Sequence, residues 1–391
     1  MQSEAQQVAR LVTCPSRKKF LTVSVVQNPI LPLRQVSEWG MGFLHRAFQR
    51  IQNPPTGIVK SPKGKTVAVD VGQSHLLVLG AEREGKIKVS NFRLEERPSL
   101  PGDVSARLKA IFEEEQLESQ GVRTALKTQG MVIRILTFPQ MKRNELASML
   151  QYEVEKYIPF KSSEVIIDFD ILDENISRGD TKSMEILLVA AKQSEVREFY
   201  KILEEAGIRV EMIAIGAAAL TNLIEVLFPE VKDSTVGFVD MGRDSSTFGI
   251  TVKGKPVFIR DISFGGADIL KLLRRKTGVE AKAVMAFQKD PSRIPSEHQT
   301  VIEQGLSNLV NELRLSLGYY MDHVPGAVPA ETLFVTGGGF RLVSLPAFEE
   351  QLKVPVRRLE VLSKIEIASG LDSASLKENE DLLLPALGLC V

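Results

Sequence analysis

One short unit occurs twice in this chain, and that repetition constrains the fold more than any other feature. Val67-Ala68-Val69-Asp70-Val71-Gly72-Gln73-Ser74 is matched by Val236-Gly237-Phe238-Val239-Asp240-Met241-Gly242, which runs on into Arg243-Asp244-Ser245-Ser246-Thr247. Asp70 and Asp240 stand 170 residues apart (240 − 70), and Gly72 and Gly242 keep that offset. Each copy reads as a buried strand ending in a tight turn, and each is followed by a glycine-centred hairpin, at Gly85 and Gly254. With 391 residues, the chain is longer than the roughly 250–300 over which one core usually grows. Two homologous α/β domains are expected.

The unit suits phosphate chemistry. A strand ending in Asp-x-Gly presents a carboxylate at its tip, where it can hold a hydrated Mg²⁺. Glycine turns the backbone tightly and brings its N–H groups close to phosphate oxygens, while the following hydroxyls add donors. One such turn is a weak signal. Two at matching positions, with a later strand, Leu333–Thr336, entering Gly337-Gly338-Gly339, are far more specific. The glycine run lets backbone lie flat beneath a nucleoside. The expected site is therefore Asp70, Gly72, Ser74 and His75 from the first turn and Asp240, Gly242, Ser245, Ser246 and Thr247 from the second, with Gly337, Gly338 and Gly339 under the base and sugar. Asp70 and Asp240 would lie near Mg²⁺ through water.

The remaining texture is mixed. Strands are expected at 66–72, 76–80, 86–93, 131–138, 165–172, 184–190, 236–240, 246–252, 257–261 and 333–336, with a polar turn at 177–180. Helices are expected at 104–118, through Leu146–Tyr157 up to Pro159, at 194–207, at 214–227 and at 301–320. The 214–227 helix is apolar on most sides, so it should lie between layers. Residues 1–62 lack clean periodicity. Trp39, Met41, Phe43, Leu44, Phe48 and Ile51, interleaved with Arg46 and Arg50, would give a helix a narrow apolar face with basic flanks. Either a membrane-surface element, a helix docked on the protein's own core or a tail fits that pattern, and Met41 is an alternative start.

Composition excludes several classes. Lys plus Arg and Asp plus Glu both number 49, a balance that argues against nucleic acid. Cys14 and Cys390 form no CxxC pair and the four histidines have no metal-ligand spacing, which argues against zinc and against a disulfide framework. The apolar stretch Leu382–Val391 is half the ~20 residues that a membrane helix needs. No secretory signal pattern opens the chain, so a cytoplasmic protein is expected.

These residues resemble the superfamily of actin, sugar kinases and heat-shock ATPases, in which duplicated ribonuclease H-like domains enclose ATP in a cleft. Within it, residues 65–391 are similar to the PilM family of type IV pilus assembly proteins. Leu136-Thr-Phe-Pro139, Glu145-Leu146, Glu153-Val-Glu155, Tyr157-Ile-Pro-Phe160 and Asp168-Phe-Asp170 carry the resemblance in an inserted subdomain of the kind shared with the cell-division protein FtsA. Pro256–Arg260 with Ser263-Phe-Gly265-Gly266, then Asn311-Glu312-Leu-Arg314-Leu-Ser316, Thr336–Gly339 and Val354-Pro-Val356 carry it in the second domain. The resemblance implies an actin-like fold: a first domain of 63–136, 206–232 and 365–391, an inserted subdomain of 137–205, and a second domain of 233–364, after an extension of 1–62. It implies ATP and Mg²⁺ as ligands, with Glu312, Arg314 and Ser316 near the adenosine. It further implies a cytoplasmic scaffold, peripheral at the inner membrane, that holds the N-terminal cytoplasmic peptide of a PilN-like membrane protein in a groove beside the inserted subdomain. Other pilus assembly components and self-association belong to the same expectation, and a type II secretion machine is a related setting.

Three departures stand out. Where the family usually has Ser or Thr this chain has His75, which reads as a phosphate donor or as an exposed turn histidine. Leu77 replaces the family's usual lysine. Ile213-Ala-Ile-Gly-Ala217 aligns with the helix start where the superfamily often carries an acid or Gln that positions water. That help is worth ~10²–10⁴-fold in rate, so at most weak ATPase activity is expected. An FtsA-like divisome protein would carry a C-terminal amphipathic helix after a linker, whereas this chain ends in an apolar run that reads as a packed helix. A sugar-kinase-type phosphotransferase would need a carboxylate base that neither loop supplies.

Overall fold

The computed structural model describes residues 65–128, 130–178, 181–280, 283–284, 286–287 and 293–391. The readings made for residues 1–62, and the tip of the 177–180 turn, lie outside the described residues. Among the described residues no helix is long and apolar enough to cross a membrane.

Two sheets repeat one topology. The first contains β1 (Lys65–Val71), β2 (His75–Glu84), β3 (Lys86–Glu96), β4 (Gln120–Leu126), β8 (Arg209–Ile215) and β14 (Glu366–Ile367), in the order β14-β3-β2-β1-β4-β8. The second contains β9 (Thr235–Met241), β10 (Ser246–Val252), β11 (Lys255–Ile262), β12 (Thr332–Thr336) and β13 (Val356–Arg358), in the order β11-β10-β9-β12-β13. In both, a meander of three antiparallel strands is extended by two parallel ones. Even the register repeats: Asp70 pairs with Leu77 and Asp240 with Thr247.

Helices fill the layers around these sheets. α1 (Pro101–Glu114) and α3 (Gln193–Glu205) cover the outer face of the first sheet. α5 (Gly266–Thr277), α6 (Ser296–His323) and α7 (Leu345–Leu352) cover the outer face of the second. Between the sheets lie α4 (Gly216–Leu227) and α9 (Glu380–Leu389), preceded by the short α8 (Ser373–Glu378). The α4 sequence GAAALTNLIEVL is buried on nearly every side, as a helix sandwiched between two layers must be. The two inner helices cross so closely that a methyl group at Gly388 would stand 2.2 Å from the Ala219 carbonyl oxygen.

Strand alternation aims the aspartates. In β1, Val67, Val69 and Val71 face the outer helices while Ala68 faces the inner ones. Asp70, two residues on, shares the face of Ala68. In β9, Val236 and Phe238 face inward and Val239 and Met241 outward, so Asp240 points inward too.

A third sheet, β5 (Met131–Pro139), β6 (Val165–Arg178) and β7 (Thr181–Lys192), runs in the order β5-β7-β6. Ile186 and Leu188 of β7 pack beneath α2 (Arg143–Glu153), and the alternate residues Leu187 and Val189 join the central core. This sheet and α2 overlap the stretch expected as an inserted subdomain, 137–205, with β5 starting ahead of it at Met131. β5 belongs to the sheet whole, so a boundary at 136 would cut a strand. α3 packs its Ile202 and Leu203 with Val104 and Leu108 of α1, which puts that helix in the first unit. Two strands that the periodicity did not signal, β4 and β8, complete the first sheet, and the helix expected from 214 starts at Gly216 because 209–215 pairs with β4.

Candidate functional site

The two strand tips and the loops beside them face one inner space. On the first side, the Asp70 side chain is 1% exposed, with Lys127 Nζ 3.1 Å from its Oδ2 and His75 Nε2 at 3.7 Å. Its other oxygen, Oδ1, is buried without a hydrogen-bond partner, as is His75 Nε2. The imidazole lies over the turn: a methyl group at Gly72 would meet the His75 ring at 2.8 Å. His75 is thus half-buried at the turn and not an exposed turn residue. Its Nδ1 is 3.5 Å from Ser74 Oγ, and Arg97 latches the turn by donating to the Gly72 carbonyl at 3.1 Å. Leu77, where the family's usual lysine is missing, is fully buried in the central core.

Lys127, which the sequence reading passed over, brings an ammonium to Asp70 from the loop after another strand. It follows β4, which lies beside β1 with Val69 opposite Thr124. In the second sheet Val239 lies opposite Val335. Residue 124 therefore corresponds to residue 335, and Lys127 (124 + 3) to Gly338 (335 + 3). The lysine is the first unit's counterpart of the glycine loop. Its Cε lies 3.9 Å from where a Gly216 side chain would begin, beside the N-terminus of α4, which has no side-chain cap and no acidic residue in its first turn.

Electrostatics tie the cluster together. Burial favours a neutral Asp70, yet Lys127 and then His75 outweigh it and hold the carboxyl well below its ordinary range. Burial pushes Asp240 up, Lys127 opposes this, and the negative charges of Asp70 and Asp381 add to it. Lys127 itself is desolvated, but Asp70 and then Asp240 keep its ammonium above the ordinary lysine value. One cation therefore serves two carboxylates.

On the second side the turns interlock. Gly242 N–H donates to the Ser245 carbonyl at 2.9 Å, and Gly266 N–H to the Gly242 carbonyl at 3.0 Å. Gly337 has φ 92°, a backbone state that glycine tolerates and other residues rarely adopt. A methyl group there would lie 2.4 Å from the Met241 carbonyl oxygen and 2.5 Å from Asp240 Oδ1. Gly339 is pressed against Met241 in the same way. The glycine loop is strapped to the last helix: Arg341 bonds Asp381 through Nε at 2.9 Å and Nη2 at 2.7 Å. The Thr336 hydroxyl donates to the Asp381 carbonyl at 3.2 Å. That carbonyl lacks its helical donor because the residue four positions on is Pro385, which has no N–H.

Several expected site residues are otherwise engaged. Ser246 is buried and donates to the Phe264 carbonyl at 2.7 Å, so its hydroxyl braces the loop from behind. Thr247 donates to Asp261 Oδ1 at 2.7 Å, while Ser245 stays half-buried at the turn. Glu312 and Ser316, one turn apart on α6, both hold Arg260 of β11, at 3.0 Å each. Arg314 donates to the Gln351 carbonyl of α7. All three residues expected near the adenosine thus have partners within the protein, Arg260 on β11 and a carbonyl on α7.

The residues present fit a metal–nucleotide. A buried carboxylate oxygen without a donor, two inward carboxylates sharing one ammonium and glycine turns with no room for side chains are what a divalent cation and a polyphosphate require. When bound, the cation would neutralise phosphate charge between Asp70 and Asp240. Gly72, Ser74, Gly242 and Ser245 would offer donors to phosphate oxygens, and Gly337–Gly339 would lie against the nucleoside.

Residues 92–391 match the family model described as type IV pilus assembly protein PilM, well over half of the chain. A solved PilM-PilN type IV pilus biogenesis complex aligns with TM-score 0.74 at 21% identity, covering 84% of this chain and 98% of that one. The ethanolamine utilization protein EutJ from Carboxydothermus hydrogenoformans aligns at TM-score 0.49 and 15% identity, covering 84% and 90%. MreB 5 of Spiroplasma citri bound to AMPPNP aligns at TM-score 0.44 and 11% identity, covering 76% and 92%. The repeated sheet topology and the first of these alignments establish an actin-like fold with duplicated domains.

Proposed function

Because the chain belongs to the type IV pilus assembly protein PilM family, we propose that it is an ATP–Mg²⁺-loaded scaffold which recruits the cytoplasmic tail of a PilN-like inner-membrane protein. The observation that carries the nucleotide part is the convergence of Asp70, Lys127, Asp240 and the glycine loops on one inner space. The partner follows from the family and from the PilM-PilN complex to which the chain is similar. ATP acts here by joining two units across their shared cleft, a conformational input in place of a chemical product.

Hydrolysis is at most slow. The first turn of α4 offers no carboxylate to orient water, and Asp261, the nearest acid on β11, accepts from Thr247. The protein sits at the inner membrane through its partner. The test is titration of a fluorescent peptide, the cytoplasmic N-terminus of the PilN homologue, with and without ATP–Mg²⁺. Saturable binding that tightens with nucleotide is the expected result. A peptide that fails to bind in either state overturns the scaffold.

A further inference from the structure

We propose that Lys127 is a built-in counter-ion of the cleft, which neutralises Asp70 and Asp240 while the cleft is empty and faces the polyphosphate of a nucleoside triphosphate once a divalent cation takes its place at the carboxylates. The proposal rests on the nucleotide reading of the cleft and assigns a role within it.

Four observations converge on this lysine. Its ammonium is 3.1 Å from a buried carboxylate oxygen whose twin oxygen has no partner. Both cleft aspartates attract it. Its side chain is 34% exposed, so it can leave Asp70 without unpacking a core. Its stem runs past the start of α4, which has no side-chain cap, and the free N–H groups of a helix start repel a cation and attract an anion. An ammonium at a helix N-terminus is held there only by the carboxylates. When a divalent cation neutralises Asp70 and Asp240, the lysine loses its anchors and meets phosphate oxygens at the same helix end. The register adds the reason for this location: Lys127 corresponds to Gly338. The two duplicated loops have diverged, one flattened to admit the nucleoside and one carrying the charge.

The experiment measures ATP affinity by calorimetry for the wild type, Lys127→Gln and Lys127→Arg, each in EDTA and in saturating Mg²⁺. A charge-assisted hydrogen bond to phosphate corresponds to about tenfold or more in affinity. Lys127→Gln should therefore lose about that factor in Mg²⁺, where the lysine has left the carboxylates for the phosphates, and much less in EDTA, where it stays paired with Asp70. Lys127→Arg should retain the wild-type affinity in Mg²⁺. Unchanged affinity in both buffers, or an equal loss in both, overturns the proposal. Should Lys127→Gln not fold, lysine acetylation of the wild type, read by mass spectrometry at Lys127, decides the matter: Mg²⁺ alone should raise its reactivity and ATP lower it. Reactivity that neither ligand alters contradicts the role. A wild type that binds no ATP in either buffer rejects the nucleotide reading itself, a result distinct from a lysine that proves irrelevant.

Discussion

A methyl group at Gly337 would stand between the Met241 carbonyl oxygen and Asp240 Oδ1, at 2.4 and 2.5 Å, on a backbone with φ 92°. Gly337→Ala therefore combines left-handed strain with overpacking, each worth about 1–3 kcal/mol. It should cost about 2–4 kcal/mol in urea unfolding and abolish ATP binding by calorimetry. Gly72→Ala should cost less than half as much, because its methyl meets only the His75 ring, which can turn away. Legibility differed sharply among single residues. Asp70, Asp240 and the glycines declare themselves by repetition at one offset, and period-two alternation aims both carboxylates inward. Lys127 does not declare itself, because its counterpart is a glycine and its strand begins with Gln120-Gly121, where no alternation is visible. Glu312, Arg314 and Ser316 sit on an amphipathic helix, where spacing cannot distinguish a ligand contact from a brace. Their partners, Arg260 and the Gln351 carbonyl, arrive from distant parts of the chain.

α9 keeps a helical path through Pro385 because Thr336 supplies the hydrogen bond that proline cannot. This pairing makes the helix end dependent on the second sheet, and a double-mutant cycle isolates it. Thr336→Val alone leaves the Asp381 carbonyl without a donor and should cost about 1–2 kcal/mol. In a Pro385→Ala background the new N–H can satisfy that carbonyl, so the same Thr336→Val change should cost about 1 kcal/mol less. Equal costs in both backgrounds, measured by denaturant unfolding, would disprove the dependence. Long periodic elements such as α6 were readable from Ile302, Leu306, Leu309 and Leu313. β4 was not, because a parallel strand buried on both faces shows no alternation, and the edge strand β8 alternates over only its first four residues. Arg209–Ile215 also runs directly into the apolar α4, so Ala214 and Ile215 read as the start of that helix. β13 and β14, with 3 and 2 residues, are too short to leave any periodic trace.

The central core draws on both large sheets, on α4 and α9 between them, and on the inner face of the third sheet. Neither large unit can keep its inner face covered when the other unfolds. Calorimetry of the whole chain should thus show one transition for the two units, with calorimetric and van't Hoff enthalpies in agreement. Two resolved transitions would mean that the shared core does not couple them. The duplication predicted this pairing of sheets, but the depth of their sharing rests on α9, which returns from the far end of the chain to cross α4 at Gly388. The loops over the cleft are, by contrast, unequal in stiffness. Around Asp240, a methyl group at Gly265 would lie 2.3 Å from the Arg243 carbonyl oxygen and one at Gly266 3.0 Å from Gly339 Cα, so the backbone segments there are packed directly on one another. Around Asp70, a single imidazole fills the gap. The cleft is in effect a vise with one bolted jaw: adaptation to a different guest, whether within one binding event or across diverging sequences, must be taken up by the 72–75 turn and Lys127, while 337–339 holds its shape.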